Sequence, residues 1–418
     1  MGFKHGGYIG KILRINLTDK KVAQEPLRED WARDFLGGVG YSARLWYDEV
    51  PGKIDALGPE NKMVFMTGPV NGTMIPAASR ASVCAKSPMT GSFFHSIFGG
   101  YFGPELKFAG YDGLVVEGRA DRPVYVWIDD GKVEIRDASH LWGKNPFKAQ
   151  EIIRKEIGDD EIHIATIGRA GEEGTPYAMI LLDIRAAGRG GLGAVMGSKN
   201  LKAFLVSGTG GPPIIHRGEH RQVYDAIYDR VVASNDMKKY HDLGTAGNIL
   251  PLNAIGGLPT RNFSQGFFEG AQALSGEAFA EHYLVQHMAC AHCPCGCIHM
   301  AALREPFAPF HYRTTKIPYD YELIYALGTL LSLSSPPEVL SLVDVVEKEG
   351  WDAMGMGTAL AWASEAFVSG VVGLRETEGL PLRFGDGGGY LQAMHRIRKG
   401  EGEFFRDLER GVAFCAAK

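Results

Sequence analysis

Four of the six cysteines lie in one short segment, at Cys290, Cys293, Cys295 and Cys297. A disulfide framework spreads its cysteines along the chain, whereas a metal or cluster site packs them together. The C-x2-C-x3-C spacing of Cys290, Cys293 and Cys297 favours an iron–sulfur cluster, because such clusters take thiolate ligands from a local run. Zinc and free thiols are the alternatives, although zinc would need a second pair of cysteines. We interpret Cys295 as a spectator.

A cubane cluster needs a fourth ligand, which this segment does not supply. The candidates are Cys84, Cys415, a residue other than cysteine, or a group outside this chain. Cys84 lies in a predicted strand, where a buried small residue is the more usual role. Cys415 lies in a predicted helix with no supporting motif. We therefore expect the fourth ligand to come from outside the chain.

A second segment combines two arginines with several glycines. Arg185 and Arg189 surround Gly188, and further glycines follow at positions 190, 191 and 193. Glycines let backbone N–H groups approach an anion, while arginine binds phosphate with two parallel hydrogen bonds. The segment matches neither the P-loop nor the dinucleotide-binding pattern. The alternative is a glycine-rich turn with solvated arginines.

Two weaker candidates come from residue type alone. Glycine and aromatic residues alternate over residues 99–112, and Arg80 precedes this stretch, which is a composition suited to a large flat ligand. Asp320 could act as a general acid or base beside a cofactor. For a single aspartate, a solvated or helix-capping role is the more frequent outcome.

The first half of the chain is predicted to be rich in β-strands. Hairpin turns are expected at residues 17–20 and 129–131, and a helix at residues 146–157, ended by Gly158. The Gly/Pro segment 208–213 is the predicted linker.

Beyond the linker, apolar residues recur with helical spacing. Helices are predicted over residues 217–233, 338–349, 358–367 and 404–416. The chain should therefore have an α+β fold, with a β-rich domain over residues 1–210 and an α-helical domain over residues 211–418 that carries the cysteine segment.

Composition argues against some classes of function. The 418 residues carry a formal net charge of −5, which argues against nucleic-acid binding. Neither a membrane span nor a signal peptide is expected from the apolar pattern, so the protein is predicted to be cytoplasmic.

The motifs together resemble those of the aldehyde:ferredoxin oxidoreductase family. The most specific stretches are residues 99–112, 134–143, 185–202 and the cysteine segment. The resemblance implies a two-sheet, pterin-binding N-terminal domain followed by helical domains. It also implies a tungsten or molybdenum bis-pyranopterin, Mg²⁺ and a [4Fe–4S] cluster. The family's third, helical domain is expected to be absent from this chain.

The resemblance also assigns roles to individual residues. Asp320 stands where the family has a catalytic glutamate, and Cys290, Cys293 and Cys297 match three cluster ligands. Glu347 and Asp352 occupy a variant of the second-domain pterin motif. The residues matching the pterin-phosphate and magnesium contacts are Arg80, Gly99, Arg185, Ala186, Gly188 and Arg189.

The expected activity is the oxidation of small aldehydes to carboxylic acids, with electrons passed to ferredoxin or to an iron–sulfur subunit. Reduction of aromatic-ring thioesters is an alternative reaction, because a relative within the family performs it. A second alternative is a non-catalytic truncated or split-gene fragment, which would need a partner chain to supply the third domain.

Overall fold

The computed structural model describes residues 5–418, which form two compact units. The first unit runs to Val232 and also includes Cys290–Pro294. The second comprises Ala233–Ala289 and Cys295–Lys418. The predicted α+β class is confirmed.

The first unit contains two six-stranded sheets, in the part of the chain that the structure describes. One sheet has the order β2-β1-β6-β3-β4-β5, and the other has the order β11-β10-β9-β12-β7-β8. Their strands are β1 (Lys11–Asn16), β2 (Lys21–Pro26), β3 (Met63–Met66), β4 (Ala81–Lys86), β5 (Phe93–Phe98), β6 (Gly113–Glu117), β7 (Val124–Asp129), β8 (Lys132–Asp137), β9 (His163–Thr166), β10 (Ile180–Leu182), β11 (Arg185–Ala187) and β12 (Leu201–Ser207).

The two sheets share one apolar core. Leu13, Phe65 and Val83 from the first sheet and Val126 and Phe204 from the second belong to the same buried cluster. The Phe65 and Phe204 rings meet edge to face at 5.4 Å. Burial of aromatic rings of this size contributes strongly to the free energy of folding, so the core holds the two sheets against each other.

Local signals position the two predicted hairpin turns and the predicted helix over residues 146–157. The hairpin β7–β8 turns through Asp130 and Gly131, both with positive φ. The predicted helix at residues 146–157 is capped by Asn145, whose Oδ1 accepts from the backbone N–H of Lys148 at 2.8 Å. Gly158 ends it in the left-handed conformation. The helices are α1 (Glu29–Phe35), α2 (Gly38–Glu49), α3 (Phe102–Phe108), α4 (Pro146–Ile157), α5 (Arg169–Glu172), α6 (Leu192–Ser198) and α7 (Arg217–Val232).

The second unit is mainly helical, as predicted. Its α-helices are α8 (Asn235–Leu243), α9 (Ile249–Ala254), α10 (Gly276–His282), α11 (Tyr321–Leu327), α12 (Pro336–Glu349), α13 (Ala353–Val368), α14 (Gly387–Lys399), α15 (Glu403–Glu409) and α16 (Val412–Ala417). Short 3₁₀ turns cover Thr245–Asn248, Ala271–Leu274 and Thr329–Leu331.

Two details of the second unit differ from the sequence expectations. The single helix expected over residues 404–416 is two helices, because Gly411 adopts φ 92° and ψ 162° between them. The unit also contains an antiparallel sheet of order β13-β14-β15, which the helical periodicity did not indicate. Its strands are β13 (Leu284–Met288), β14 (Ile298–Ala308) and β15 (His311–Tyr319).

A helix that spans a bilayer must be both long enough and sufficiently apolar. Among the described residues, no single helix meets both conditions. The segments Tyr321–Leu331 and Pro336–Glu349 meet them jointly, with a bend of 114° between them.

Candidate functional site

The candidate site in the first unit lies where the edges of its two sheets meet. Strand β5 is an edge of one sheet, β11 is an edge of the other, and the two strands lie next to each other. Gly99 and Gly100 follow β5, and Arg185 begins β11. A Cβ atom built on Gly100 would lie 3.6 Å from Cγ of Arg185, so these two predicted segments are in contact.

Gly99 lies between an arginine and a cysteine. A Cβ atom built on it would lie 2.8 Å from Sγ of Cys290 and 3.9 Å from Nε of Arg80. Only a residue without a side chain permits this approach of the thiol. Arg80 is exposed, and its backbone is held by Asn71, whose Nδ2 donates to the Arg80 carbonyl at 3.0 Å. Arg80, Gly99 and Cys290 are therefore neighbours in the first unit.

The first residues of the cysteine segment are bound to the same surface. The Ala291 N–H donates to the Gly100 carbonyl at 3.2 Å, and the Ala77 N–H donates to the His292 carbonyl at 3.3 Å. The His292 ring meets Phe108 edge to face at 6.3 Å. These contacts hold Cys290 beside the arginines.

The glycine-rich turn after Arg185 has two functions. A side chain at Gly190 would collide with the Phe94 ring, and one at Gly191 would collide with Pro88. Both glycines have positive φ, so packing and backbone conformation together explain them. Arg185 and Gly188 are half-buried, whereas Ala186 and Arg189 are exposed. Residues 185, 186, 188 and 189 are therefore accessible to a ligand, while Ala187 is buried and residues 190 and 191 serve packing.

The three arginines lack anionic partners within the described residues. Neither an ion pair nor a side-chain hydrogen bond to a carboxylate occurs at Arg80, Arg185 or Arg189 in residues 5–418. Guanidinium groups paired with neither Asp nor Glu, beside backbone that approaches closely, form a site suited to an anion such as phosphate.

A network that the sequence reasoning missed anchors the turn before Arg185. Asp183 accepts from Arg154 at 3.0 Å and is hydrogen-bonded to the His163 ring at 2.8 Å. The His163 ring in turn stacks on Tyr101, with centroids 4.9 Å apart and planes within 4°. The Tyr101–His163–Asp183 series thus connects the segment after Gly100 to Arg185. No local motif links these residues, so only the fold could bring them together.

The cysteines at 290, 293, 295 and 297 are partly exposed. The Cys293 N–H donates to the Cys290 carbonyl at 3.1 Å within the first unit. In the second unit, Nδ1 of His241 is 2.8 Å from the Cys295 carbonyl. Across residues 5–418, no group of three or more His, Cys, Asp or Glu side chains is arranged to hold a metal ion. The thiols have the donor chemistry for a cluster without being assembled into a ligand set.

The two remaining cysteines have the environments of structural residues. Cys84 is fully buried in β4, and burial raises the pKa of its thiol to about 11. Cys415 is half-buried, and burial likewise raises its pKa to about 11. The interpretation of Cys84 as a buried small residue agrees with this environment.

The predicted acidic residues belong to the second unit, where two of them cap helices. Oδ1 of Asp320 accepts from the Leu323 N–H at 2.9 Å at the start of α11. Oδ2 of Asp352 accepts from the Gly355 N–H at 3.0 Å at the start of α13. Glu347 is buried in α12. Capping explains part of what these aspartates do, and their roles toward a cofactor remain predictions.

Taken together, the first unit is a two-sheet domain whose surface carries arginines that pair with neither Asp nor Glu within the described residues, next to a cysteine thiol, and the other unit is mainly helical. This arrangement of two six-stranded sheets and many helices defines a mixed α+β protein. Two family models match the chain: "Aldehyde ferredoxin oxidoreductase, N-terminal domain" over residues 12–208 and "Aldehyde ferredoxin oxidoreductase, domains 2 & 3" over residues 222–418. The chain belongs to the aldehyde ferredoxin oxidoreductase family.

Several relatives named for this activity are similar along most of the chain. The tungsten-containing aldehyde ferredoxin oxidoreductase of Pyrococcus horikoshii is 39% identical over 407 residues, covering 95% of this chain and 65% of the relative. That of Thermococcus kodakarensis is 40% identical over 386 residues, covering 91% and 62%. The "Aliphatic sulfonate oxidoreductase, WOR-like subunit" of Pyrococcus furiosus is 31% identical over 412 residues, covering 94% and 65%. The chain therefore spans about two thirds of the length of these relatives, or slightly less.

A solved structure is similar over the whole chain. It is the active site complex BamBC of benzoyl coenzyme A reductase in complex with 1,5-dienoyl-CoA. The match has a TM-score of 0.84 at 26% sequence identity and covers 99% of this chain and 63% of that chain. The similarity supports the architecture described above.

Proposed function

We propose that this chain forms the cofactor-binding part of an oxidoreductase that converts small aldehydes to carboxylic acids. The cofactor would be a tungsten or molybdenum bis-pyranopterin with Mg²⁺, and electrons would leave through a [4Fe–4S] cluster to ferredoxin or an iron–sulfur subunit. The observation that carries the proposal is the meeting of Arg80, Gly99, Arg185 and Cys290 in one location. The similarity to tungsten-containing aldehyde ferredoxin oxidoreductases supports it.

The residues of the first unit fit the phosphate ends of such a cofactor. Arg80, Arg185 and Arg189 would bind phosphate oxygens through paired N–H groups. The accessible backbone at Ala186 and Gly188 would complete the site, with a backbone carbonyl available to Mg²⁺. When bound, the metal centre supplies two-electron redox chemistry and the cluster carries single electrons onward.

In the second unit, we propose that Asp320 transfers the proton. One of its carboxylate oxygens caps α11 at 2.9 Å from the Leu323 N–H, which fixes the orientation of the side chain. Cys290, Cys293 and Cys297 would hold the cluster, and Glu347 and Asp352 would contact the pterin. The clustering of four cysteines is typical of a metal or cluster site rather than a disulfide framework, which supports a reducing compartment and the cytoplasm as the location.

Metal analysis tests the proposal directly. Protein produced with tungstate or molybdate in the medium should contain close to one heavy-metal atom per chain, together with iron. After reduction by dithionite it should give the electron paramagnetic resonance signal of a [4Fe–4S] cluster. Protein without either heavy metal would contradict the cofactor assignment.

A double substitution tests the arginine site. Arg185→Ala with Arg189→Ala should abolish retention of tungsten or molybdenum while leaving the unfolding transition unchanged, because neither arginine forms an ion pair within residues 5–418. The control for loss of positive charge is Arg33→Ala with Arg122→Ala, two exposed arginines elsewhere in the first unit that pair with Asp34 and Asp137. Full metal occupancy in the Arg185/Arg189 variant would show that this turn does not hold the cofactor.

A second reaction is favoured by the structural similarity to the benzoyl coenzyme A reductase complex. In that case the same cofactor site would serve reduction of an aromatic thioester. The two reactions are separated by assaying the loaded protein with a small aldehyde and an oxidised viologen, and with benzoyl-CoA and a reduced viologen. Aldehyde oxidation without benzoyl-CoA reduction supports the first proposal.

A further alternative follows from the length of the relatives, of which this chain covers about two thirds. A loaded chain that oxidises aldehydes only after a separate polypeptide is added would support a split enzyme. A chain that carries no metal would support a non-catalytic fragment.

A further inference from the structure

Strands β14 and β15 are longer than their neighbour β13 and continue beyond it as a two-stranded pair. Strand β13 pairs only with the first part of β14, from Ile298 to Ala301. The β14–β15 pairing continues without β13 through Arg304↔Thr314 to Pro306↔Tyr312. We refer to residues 304–316 as the ribbon, and none of its residues is buried.

The ribbon exposes a concentration of aromatic surface. Phe310 at its tip is 98% exposed, Phe307 is 69% exposed and Tyr312 is 52% exposed. A two-stranded ribbon is marginally stable in water by itself, and large apolar side chains at its tip add nothing to stability unless they are covered. Exposed apolar residues gathered in this way mark an interaction surface.

The charge of the ribbon indicates the kind of partner. Arg304, Arg313 and Lys316 are cationic, whereas Glu305 is the only carboxylate among residues 304–316 and pairs with Arg313 at 3.1 Å. The Arg304 guanidinium lies over the Tyr312 ring at 4.3 Å, which joins the cationic and aromatic features into one surface. This surface is positive on a chain of net charge −5. Its complement is an acidic protein surface with an apolar recess.

The base of the same sheet adjoins the cysteine segment. Met288 pairs with Ile298, and the residues between these two carry all four clustered cysteines. From Ile298 to Pro306 the strand spans about 27 Å at roughly 3.4 Å per residue. A protein of about 60 residues has a diameter of about 27 Å. A partner of that size lying along the strand would extend from the base at Ile298 to Pro306, next to Phe307 and short of the tip at Phe310.

We propose that the ribbon docks an acidic iron–sulfur protein of the ferredoxin class. The inference rests on the proposed function, since such a protein would accept the electrons of that reaction. A second copy of this chain fits less well, because pairing two ribbons would place their cationic side chains opposite each other. Electrostatic complementarity of this kind governs association rate and salt dependence.

The test measures binding of a bacterial 2[4Fe–4S] ferredoxin to the purified chain by isothermal titration calorimetry at low and moderate salt. Phe307→Ser with Phe310→Ser should weaken binding at least tenfold. Arg304→Glu with Lys316→Glu should weaken it and remove most of its salt dependence. The matched controls, which should bind like wild type, are Tyr47→Ser and Arg375→Glu at exposed positions elsewhere.

Unchanged affinity in both ribbon variants, with circular dichroism matching wild type, would overturn the inference. Self-association that Phe310→Ser abolishes would overturn it in favour of a second copy. Binding to anionic phosphatidylglycerol vesicles, lost in the aromatic variant and without ferredoxin binding, would overturn it in favour of a membrane surface.

Failure of this inference is distinguishable from failure of the proposed function. Metal content and viologen-linked aldehyde oxidation are measured in the same preparations, and the ribbon variants should retain both. A loaded, aldehyde-oxidising chain that does not bind ferredoxin would refute the ribbon inference alone. Ferredoxin binding that depends on the ribbon, in a chain without heavy metal, would refute the proposed function alone.

Discussion

Replacing Gly99 by alanine tests the contact between the arginine surface and the cysteine segment. Gly99 does not have a positive φ, so its backbone conformation is open to alanine. At such a position the change normally stabilises a protein by about 0.4–1 kcal/mol. Here the new Cβ would lie 2.8 Å from Sγ of Cys290. Ordinary contact requires about 3.5–4.0 Å, so the thiol and the backbone must separate by roughly 1 Å.

Overpacking of this kind costs about 1–3 kcal/mol, so Gly99→Ala should lower the free energy of unfolding by up to about 2.5 kcal/mol after the backbone gain is subtracted, and by less the further the Cys290 side chain rotates away. Gly99→Ala should therefore destabilise the protein, whereas a glycine-to-alanine change at such a position usually stabilises it. The control is Gly52→Ala, where no heavy atom lies within 4 Å of the new Cβ and the backbone φ is not positive. That variant should be as stable as wild type or slightly more stable.

The assay is urea unfolding of the purified chain, together with the rate at which iodoacetamide alkylates Cys290 in the folded protein. Gly99→Ala should lower the unfolding midpoint and change the alkylation rate, because the thiol is displaced. If Gly99→Ala were as stable as Gly52→Ala and Cys290 reacted at the wild-type rate, the proximity of Gly99 and Cys290 would be refuted.

Two further predictions concern Asp320 and Lys199. Asp320→Asn keeps an acceptor for the Leu323 N–H and should unfold like wild type, whereas Asp320→Ala should lower the free energy of unfolding by about 1 kcal/mol. In protein loaded with the cofactor, both variants should slow aldehyde oxidation by about 10²–10⁴-fold if Asp320 transfers the proton. A wild-type rate in Asp320→Asn would contradict that role. Burial lowers the pKa of Lys199 from 10.5 to about 8. Between pH 8 and pH 10.5 the unfolded chain therefore binds more protons than the folded chain. In urea unfolding, the stability of wild type relative to Lys199→Met should rise by about 3 kcal/mol over this range. If the unfolding free energies of the two proteins changed in parallel with pH, the prediction would be contradicted.

The parts of the fold that sequence predicts well are those with strong local signals. The turn at Asp130 and Gly131 and the helix between Asn145 and Gly158 each rely on residues that determine the backbone by themselves. The helix Ala353–Val368 begins five residues before the predicted start at residue 358, because Asp352 caps it and starts the helix there. The break at Gly411 was missed because a single glycine is compatible with a continuing helix.

The ribbon could not be predicted from periodicity. Its residues are almost all exposed, so the sequence lacks the alternation of apolar and polar residues that identifies a half-buried strand. The strands are defined by their pairing, from Met300↔Pro318 to Pro306↔Tyr312, rather than by a buried face.

Some residues of the candidate site can also be predicted from local sequence, whereas their contacts with distant segments cannot. The arginines at 185 and 189 were found from composition and spacing, because anion binding has a recognisable local pattern. The approach of Gly99 to Cys290 joins segments almost 200 residues apart in the sequence, and no local pattern encodes it. The His163–Asp183 pair that supports Arg185 was missed for the same reason.

The most direct test of the central claim is a crystal structure of the metal-loaded protein, with data collected at the tungsten absorption edge. The account predicts pterin phosphate groups in contact with the guanidinium groups of Arg185 and Arg189 and with the backbone near Gly188. Phosphate density on a different surface of the chain, with these arginines facing only solvent, would contradict it.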